Sequence, residues 1–476
     1  MHTALESIGI KAATSNHGLT AAYFSQYPAN FSYRSRVAQI TSLNFADFLS
    51  FHNFPQGRKE KNPWGDAILA LKTPSKQTYY LNIHKRKNPD DFGQHYLGNF
   101  LVFGESGGGK TAFLMLLLNM LIKYNDPKTF PADIPDKYKK SAYVFLDKDR
   151  GAIGNILALG GKYIEIDSGV STGFNPFMCE NTEENIIHLQ SLIKLLVTSK
   201  DEPRLNTVEI ENLNKAIKTI MRFPKNQRIR PISLLTQLIT EQINDNDSLK
   251  KRLKQWTYGN NYGWVFDNEE DNFDFTDEYN VYAIDGTHFL DDNSVKDPIC
   301  YYVFWKTLKL ADGRRFGLIG DEAHAWLENP IVRKAVYNKE KTIRKENGFL
   351  GFATQSVPDI VENKIARTLI EQAASIFFFP NRKGREEDYV NHLSCTPEEF
   401  KTIKGFKSFK YDFLVKNDTE KIVVSADMSD IPKEYLKILS TSLAYVEDVK
   451  RIFAEKNLSH DDKVKKLISF YKEEDE

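Results

Sequence analysis

The sequence predicts an α/β protein: a sheet flanked by helices and interrupted by an all-helical insertion. Three observations carry this expectation. Gly104-Glu105-Ser106-Gly107-Gly108-Gly109-Lys110-Thr111 is a glycine-rich loop between an apolar strand, 99–103, and an apolar helix that runs on from Lys110. Short apolar runs of strand length recur at 141–146, 162–166, 316–320, 348–354 and 375–379. From about Glu180 to Asp271 the pattern changes to helical period, in 183–197, 208–221 and 233–243, with few strand signals.

At 476 residues, 41% hydrophobic and 27% charged, the chain has the composition of a globular protein of two to three domains. Lys plus Arg and Asp plus Glu both number 64, so net charge points to no particular partner. The clusters Lys85-Arg86-Lys87 and Lys250-Lys251-Arg252 are as well explained by solvated faces as by nucleic acid, which leaves DNA open. The longest apolar run, 112–122, is too short to cross a bilayer. Met1-His2-Thr3-Ala4-Leu5-Glu6 lacks the basic region and apolar core of a signal peptide. Cys179, Cys300 and Cys395 lie in neither disulfide nor zinc-ligand spacing, and a reducing cytoplasm suits all of this.

Taken in order, residues 1–90 form an aromatic-rich segment, with a turn at Asn62-Pro63-Trp64-Gly65. Alternation at 67–71 and 78–83 predicts a β-hairpin joined through Thr73-Pro74-Ser75-Lys76. The lone His84 after it is expected to be structural. The Gly104–Thr111 loop then fits G-x-x-x-x-G-K-[ST] at every fixed position. Glycines free its backbone N–H groups to point at an anion, and the helix dipole adds favourable charge. The expected nucleotide contacts are Gly104, Glu105, Ser106, Gly107, Gly108, Gly109, Lys110, Thr111 and Ala112, with Lys110 reaching the β- and γ-phosphates and the Thr111 hydroxyl binding Mg²⁺. Asp147-Lys148-Asp149-Arg150-Gly151 closes the next strand, where open α/β sheets bind ligands and where plain turn chemistry also occurs.

Beyond the helical insertion, 316–320 ends in Asp321-Glu322. Behind a phosphate loop, that pair predicts Asp321 in the Mg²⁺ shell and Glu322 as the base that activates water. Gln355, at the tip of the 348–354 strand, is placed to sense the γ-phosphate or orient that water. A basic stretch, Lys339-Glu340-Lys341-Thr342-Ile343-Arg344-Lys345, offers Arg344 either as a finger to a neighbouring subunit's phosphate or as a solvated helix end. From about Asp430 the chain is expected to be a charged helical tail.

These residues resemble the CagE/TrbE/VirB family of type IV secretion and conjugation ATPases, within the HerA–FtsK group of hexameric motors. The matches are Ala29-Asn30-Phe31 with Tyr33-Arg34-Ser35-Arg36, Asn44-Phe45-Ala46-Asp47-Phe48, Asn62-Pro63-Trp64-Gly65, His84 and the phosphate loop. Asp147-Lys148-Asp149-Arg150-Gly151, Phe174-Asn175-Pro176, Phe266-Asp267-Asn268 and Asp321-Glu322-Ala323 follow. Then come Lys341 through Gly348, Ala353-Thr354-Gln355-Ser356 and Pro380-Asn381. The family carries a large region ahead of the aromatic-rich stretch, so the expectation is the C-terminal ATPase portion of such a protein. One departure is the pair of glycines, Gly317 and Gly320, where the acidic strand usually carries bulkier apolar residues.

The resemblance implies a RecA-like P-loop NTPase with ATP and Mg²⁺ as its ligands. It also implies a place at the cytoplasmic face of the bacterial inner membrane, among other subunits of a secretion apparatus. A homo-oligomer is implied, hexameric when active and monomeric in isolation. The expected domains are residues 1–90, a nucleotide-binding core of 91–179 and 272–428, the insertion 180–271, and the tail 429–476. The alternatives are a DNA-translocating ATPase of the same superfamily and a nucleotide-binding scaffold without turnover, the latter opposed by the intact Asp321-Glu322 pair.

Overall fold

The structure is a computed structural model that describes residues 18–34, 39, 41–43, 45, 54–198, 205–239, 248–355, 357–358, 369–407, 411–417 and 420–474. The chain divides into two units, Met1–Phe54 and Pro55–Glu476. In the first, a short helix, Leu19–Phe24, and a 3-10 turn, Phe31–Tyr33, carry exposed aromatic side chains, among them Tyr23 and Phe31. Ser35, Arg36, Asn44 and 46–48 of the expected motifs lie outside the described residues.

The second unit is built on a sheet whose strands, in chain order, are β1 (Leu69–Lys72), β2 (Thr78–Leu81), β3 (Phe100–Phe103), β4 (Ser141–Asp147), β5 (Lys162–Glu165), β6 (Val281–Asp285), β7 (Arg315–Gly320), β8 (Gly348–Thr354), β9 (Ser375–Phe378), β10 (Asp412–Asn417) and β11 (Lys421–Ser425). Their order across the sheet is β2-β1-β11-β10-β9-β3-β8-β7-β4-β6-β5. From β9 to β5 neighbouring strands are parallel, and from β10 to β2 they are antiparallel. Strands β3, β4, β7 and β8 are buried at every position, which is why they appear in the sequence as unbroken apolar runs rather than alternations.

The glycines of β7 have a packing reason. A Cβ on Gly317 would lie 2.5 Å from Cζ of Phe349 and 2.9 Å from Cδ1 of Tyr143, on the two flanking strands. The bulk expected on β7 is supplied by its neighbours. Helix Lys110–Leu121 is apolar on nearly all sides because it lies between the sheet and helix Lys433–Leu439. Its fully buried Phe113, Leu114 and Leu117 each contribute about 1.5–3 kcal/mol by leaving water.

Between Glu180 and Asp271 every described element is helical, the longer ones being Glu183–Val197, Thr207–Met221 and Pro231–Leu238. Each start has a local cause. Thr182 caps the first, Asn206 and Glu209 form a capping box on the second, and the third opens with Pro231 at its first position. Their buried residues, Leu189, Leu213 and Ile217 among them, belong to one apolar cluster with Leu101, Val144 and Ile284 of the sheet. The region therefore shares the sheet's core.

Three elements differ from expectation. The hairpin β1–β2 is not part of an N-terminal segment: it extends the main sheet, pairing with β11 at Lys72 and Ser425. Strand β6 and the hairpin β10–β11 are absent from the sequence reading: β6 lies between β4 and β5, while β10–β11 joins the β1–β2 hairpin to β9. The helical tail expected after 429 has a small core of its own: helices Lys433–Leu439, Val446–Ala454 and His460–Glu473 enclose Ile438, Val449, Ile452, Leu467 and Tyr471.

At the N-terminal ends of the central strands, several family-like motifs form a base for the sheet. Trp64 Nε1 donates to Asn347 Oδ1 at 2.8 Å, and its ring packs on His84, Tyr124 and Phe349. The buried Arg315 donates to the carbonyls of Tyr124 and Thr129 and lies 3.8 Å from the Phe130 ring centroid. Burial, with Arg315 and His95 nearby, pushes the His84 pKa down to about 3, so its imidazole is neutral.

Glu340, on helix Pro330–Ile343, is buried, its side chain bonded among the described residues to the Asn99 side-chain amide, and burial pushes its pKa up from 4.5 to about 8. Between those values the folded chain holds a proton the unfolded chain has released. Its contribution to stability therefore falls as pH rises from 4.5 through about 8, by up to about 1.4 kcal/mol per pH unit. Glu340→Gln should flatten this decline. Melts across that pH range should show the variant gaining on the wild type toward the alkaline end, and a constant difference would contradict the account.

Candidate active site

The glycine-rich loop leaves the carboxyl end of β3, between the ends of β8 and β9. Its turn requires glycine at Gly109, which has φ 94° and caps helix Lys110–Leu121. The loop is anchored on both flanks: Gly104 N donates to Thr354 O at 3.3 Å, and Glu105 N to Pro380 O at 2.9 Å. The Glu105 carboxylate accepts from Arg382 N at 3.0 Å. The first-turn N–H groups of the helix have no acceptor within it and open toward the loop.

Lys110 is buried and folds back on this loop, its Nζ donating to the carbonyls of Gly104 and Glu105 at 2.9 and 3.0 Å. Burial lowers its pKa, while the charges of Asp321, Glu322 and Glu105 oppose that shift. Thr111 Oγ1 donates to Asp321 Oδ2 at 2.5 Å. Asp321 follows β7 directly, two strands from the loop, and its Oδ1 accepts from Glu322 N at 2.9 Å. Glu322 has φ 50°, a left-handed conformation uncommon outside glycine, and heads the short helix Ala323–Trp326. Gln355, at the tip of the intervening β8, donates through Nε2 to Glu322 Oε1.

Lys110, Thr111, Asp321, Glu322 and Gln355 thus meet at one end of the sheet. Arg344 does not join them. It lies exposed ahead of β8, whose seven residues separate it from Gln355 by about 20 Å or more at the rise of an extended strand. Sequence reasoning missed His324, whose Nδ1 is 3.4 Å from Glu322 Oε2, although it stands two residues on in Asp321-Glu322-Ala323-His324. It also missed Arg382 and Tyr411, which come to the loop from β9 and β10.

The Asp147–Gly151 segment has turn chemistry. Asp147 is fully buried and accepts from Ala152 N at 2.9 Å and the Tyr163 hydroxyl at 2.8 Å. Burial raises its pKa to about 8, and the charges of Asp285 and Asp321 add to the rise. Arg150 pairs with Asp285, Asp167 and Glu165 at 2.8, 3.3 and 3.4 Å. This knot sets Gly151 beside Thr111, 3.7 Å from a Cβ built on the glycine to Thr111 Cγ2.

The chain is similar to known P-loop proteins. Residues 77–393 match the TraG P-loop domain family. The type IV secretion system protein virB4 of Brucella abortus biovar 1 is 37% identical over 463 residues, covering 95% of this chain and 54% of that protein. The chain belongs to the TraG P-loop domain family. A second relative, the type IV secretion system protein PtlC of Bordetella pertussis, is 37% identical over 445 residues, covering 92% of this chain and 52% of PtlC. The solved structure of VirB4 of Thermoanaerobacter pseudethanolicus shares the fold, with a TM-score of 0.58 at 16% identity over 77% of this chain and 97% of that one. The fold is therefore that of a VirB4-type P-loop NTPase. The chain spans about half the length of the curated relatives it matches. Among the described residues no helix is long and apolar enough to cross a membrane.

Proposed function

We propose that this chain hydrolyses ATP with Mg²⁺, and that hydrolysis energises the assembly of, or substrate transfer through, a type IV secretion or conjugation apparatus. The observation that carries this reading is the pairing of Thr111 with Asp321, and of Gln355 with Glu322, around one glycine-rich loop. The backbone from Gly104 to Ala112 would cradle the phosphates, and Lys110 would exchange its two carbonyl partners for phosphate oxygens. Thr111 and Asp321 offer the hard oxygen donors that suit Mg²⁺. When bound, that ion would neutralise charge on the β- and γ-phosphates.

Glu322 would accept a proton from water as the water oxygen bonds to the γ-phosphorus and the bond to the bridging oxygen breaks, releasing ADP and phosphate. Gln355, now bonded to that carboxylate, is suited to trade it for the water or the γ-phosphate. Arg344 would act on a neighbouring subunit's phosphate, which makes the active form a homo-oligomer, hexameric when working. The names of the relatives support a place among other type IV secretion subunits, and the proposed location is the cytoplasmic face of the inner membrane. Lys110→Ala should lower nucleotide affinity and turnover together while leaving the fold intact. Calorimetry giving wild-type ATP affinity in a folded variant would overturn the phosphate assignment.

A further inference from the structure

The two flanks of the phosphate loop differ in kind. On one side, β8 and β7 end in Gln355, Asp321 and Glu322; on the other stand the ends of β9 and β10. A γ-phosphate attacked by water must face Glu322. The nucleoside, at the far end of the triphosphate, must then leave toward β9 and β10.

Tyr411 stands on that flank, immediately before β10. Its ring lies against the loop: a Cβ built on Gly109 would meet Tyr411 Cδ1 at 3.0 Å and Cε1 at 3.3 Å. The residue is half-buried and has φ 51°, an outlier conformation for a bulky side chain. Strain of this kind persists where surrounding structure enforces it, and it concentrates at ligand sites. Here Ala426 N donates to Tyr411 O at 3.1 Å, which ties the strained backbone to the end of β11. Beside it, the rings of Phe379 and Phe413 are stacked on each other at 4.6 Å. Among the described residues the Tyr411 ring pairs with no other ring and its hydroxyl makes no hydrogen bond.

On the nucleotide-binding reading above, we propose that Tyr411 is the seat of the nucleotide base, its ring stacking on a purine. The broad π-face of a purine matches a tyrosine ring that has no other aromatic partner, and stacking of this kind depends little on hydrogen-bond pattern. Selection for the base would then reside on the β10 flank, separate from the groups that act on the phosphates.

The test compares binding of MgATP and of magnesium tripolyphosphate, which lacks a base, by calorimetry on the full chain. Tyr411→Asn removes the ring while keeping a residue that tolerates the left-handed backbone. It should weaken ATP binding roughly 5- to 100-fold, the range for loss of one base-stacking ring, with tripolyphosphate affinity unchanged. Tyr411→Phe should bind both as the wild type does. Wild-type ATP affinity in Tyr411→Asn, or equal loss of both ligands, overturns the base seat. So does a wild type that binds tripolyphosphate as tightly as ATP, although the phosphate reading then stands. A wild type that binds neither overturns the nucleotide reading and this one with it.

Discussion

Glu322→Gln should still bind ATP but hydrolyse it roughly 10²-fold more slowly, the loss expected when a positioned general base is removed. The substitution keeps the size of the side chain and an oxygen to accept from Gln355 Nε2, so the fold at the end of β7 should be untouched. Glutamine cannot take a proton from water. Phosphate binding rests on Lys110 and the loop backbone, which Glu322 does not touch, so affinity and turnover should separate. The ATP-bound state would then accumulate, and if subunits assemble in that state, larger oligomers should appear on adding ATP to the variant. A scaffold without turnover would behave otherwise, with negligible hydrolysis in the wild type and no change on substitution. Hydrolysis surviving in Glu322→Gln would remove this carboxylate as the base and put the role of Asp321 in question.

The parts of this protein that were legible in the sequence are those whose cause is local. The phosphate loop is eight consecutive residues whose glycines, lysine and threonine are dictated by one turn and one helix start. Asp321, Glu322 and Gln355 were legible because each stands where a buried strand ends, and a strand end on a parallel sheet is where polar side chains meet. The turn at Asn62-Pro63-Trp64-Gly65 was visible as well, but not its purpose. Only the folded chain brings Trp64 to Asn347 and Arg315, at the base of the sheet.

What escaped was set by long-range pairing. Strand β6, Val-Tyr-Ala-Ile-Asp, is five residues buried on both faces, and such a run lacks the alternation that separates strand from helix. The hairpin β10–β11 has lysines at Lys416 and Lys421 and looks like charged surface until β9 is set beside it. Gly317 looked like a flaw in an apolar strand because the rings that fill its space, Tyr143 and Phe349, come from 174 residues upstream and 32 downstream in the chain. Arg382 and Tyr411 share this property, since neither lies in a motif that names its neighbour, whereas the signal for His324 was local, two residues beyond Glu322.

Arg344→Ala should abolish most turnover, by a factor on the order of 10³ if it serves as the arginine that stabilises charge on the transferring phosphoryl group. The position of the residue makes the expectation specific. Arg344 stands at the amino end of β8, while Gln355, beside Glu322, stands at its carboxyl end, so one subunit cannot bring Arg344 to its own loop without breaking the strand. The arginine must act on a neighbour, if it acts at all. Two inactive variants then complement each other. An Arg344→Ala subunit keeps an intact loop, and a Lys110→Ala subunit keeps an intact arginine, so an interface that joins the first subunit's loop to the second's Arg344 holds one complete site. Mixing the two should restore hydrolysis that neither shows alone, in an amount that rises with the share of mixed interfaces. Arg344→Ala turning over at the wild-type rate would return this arginine to the solvated end of its helix. Loss without rescue on mixing would exclude action across the interface.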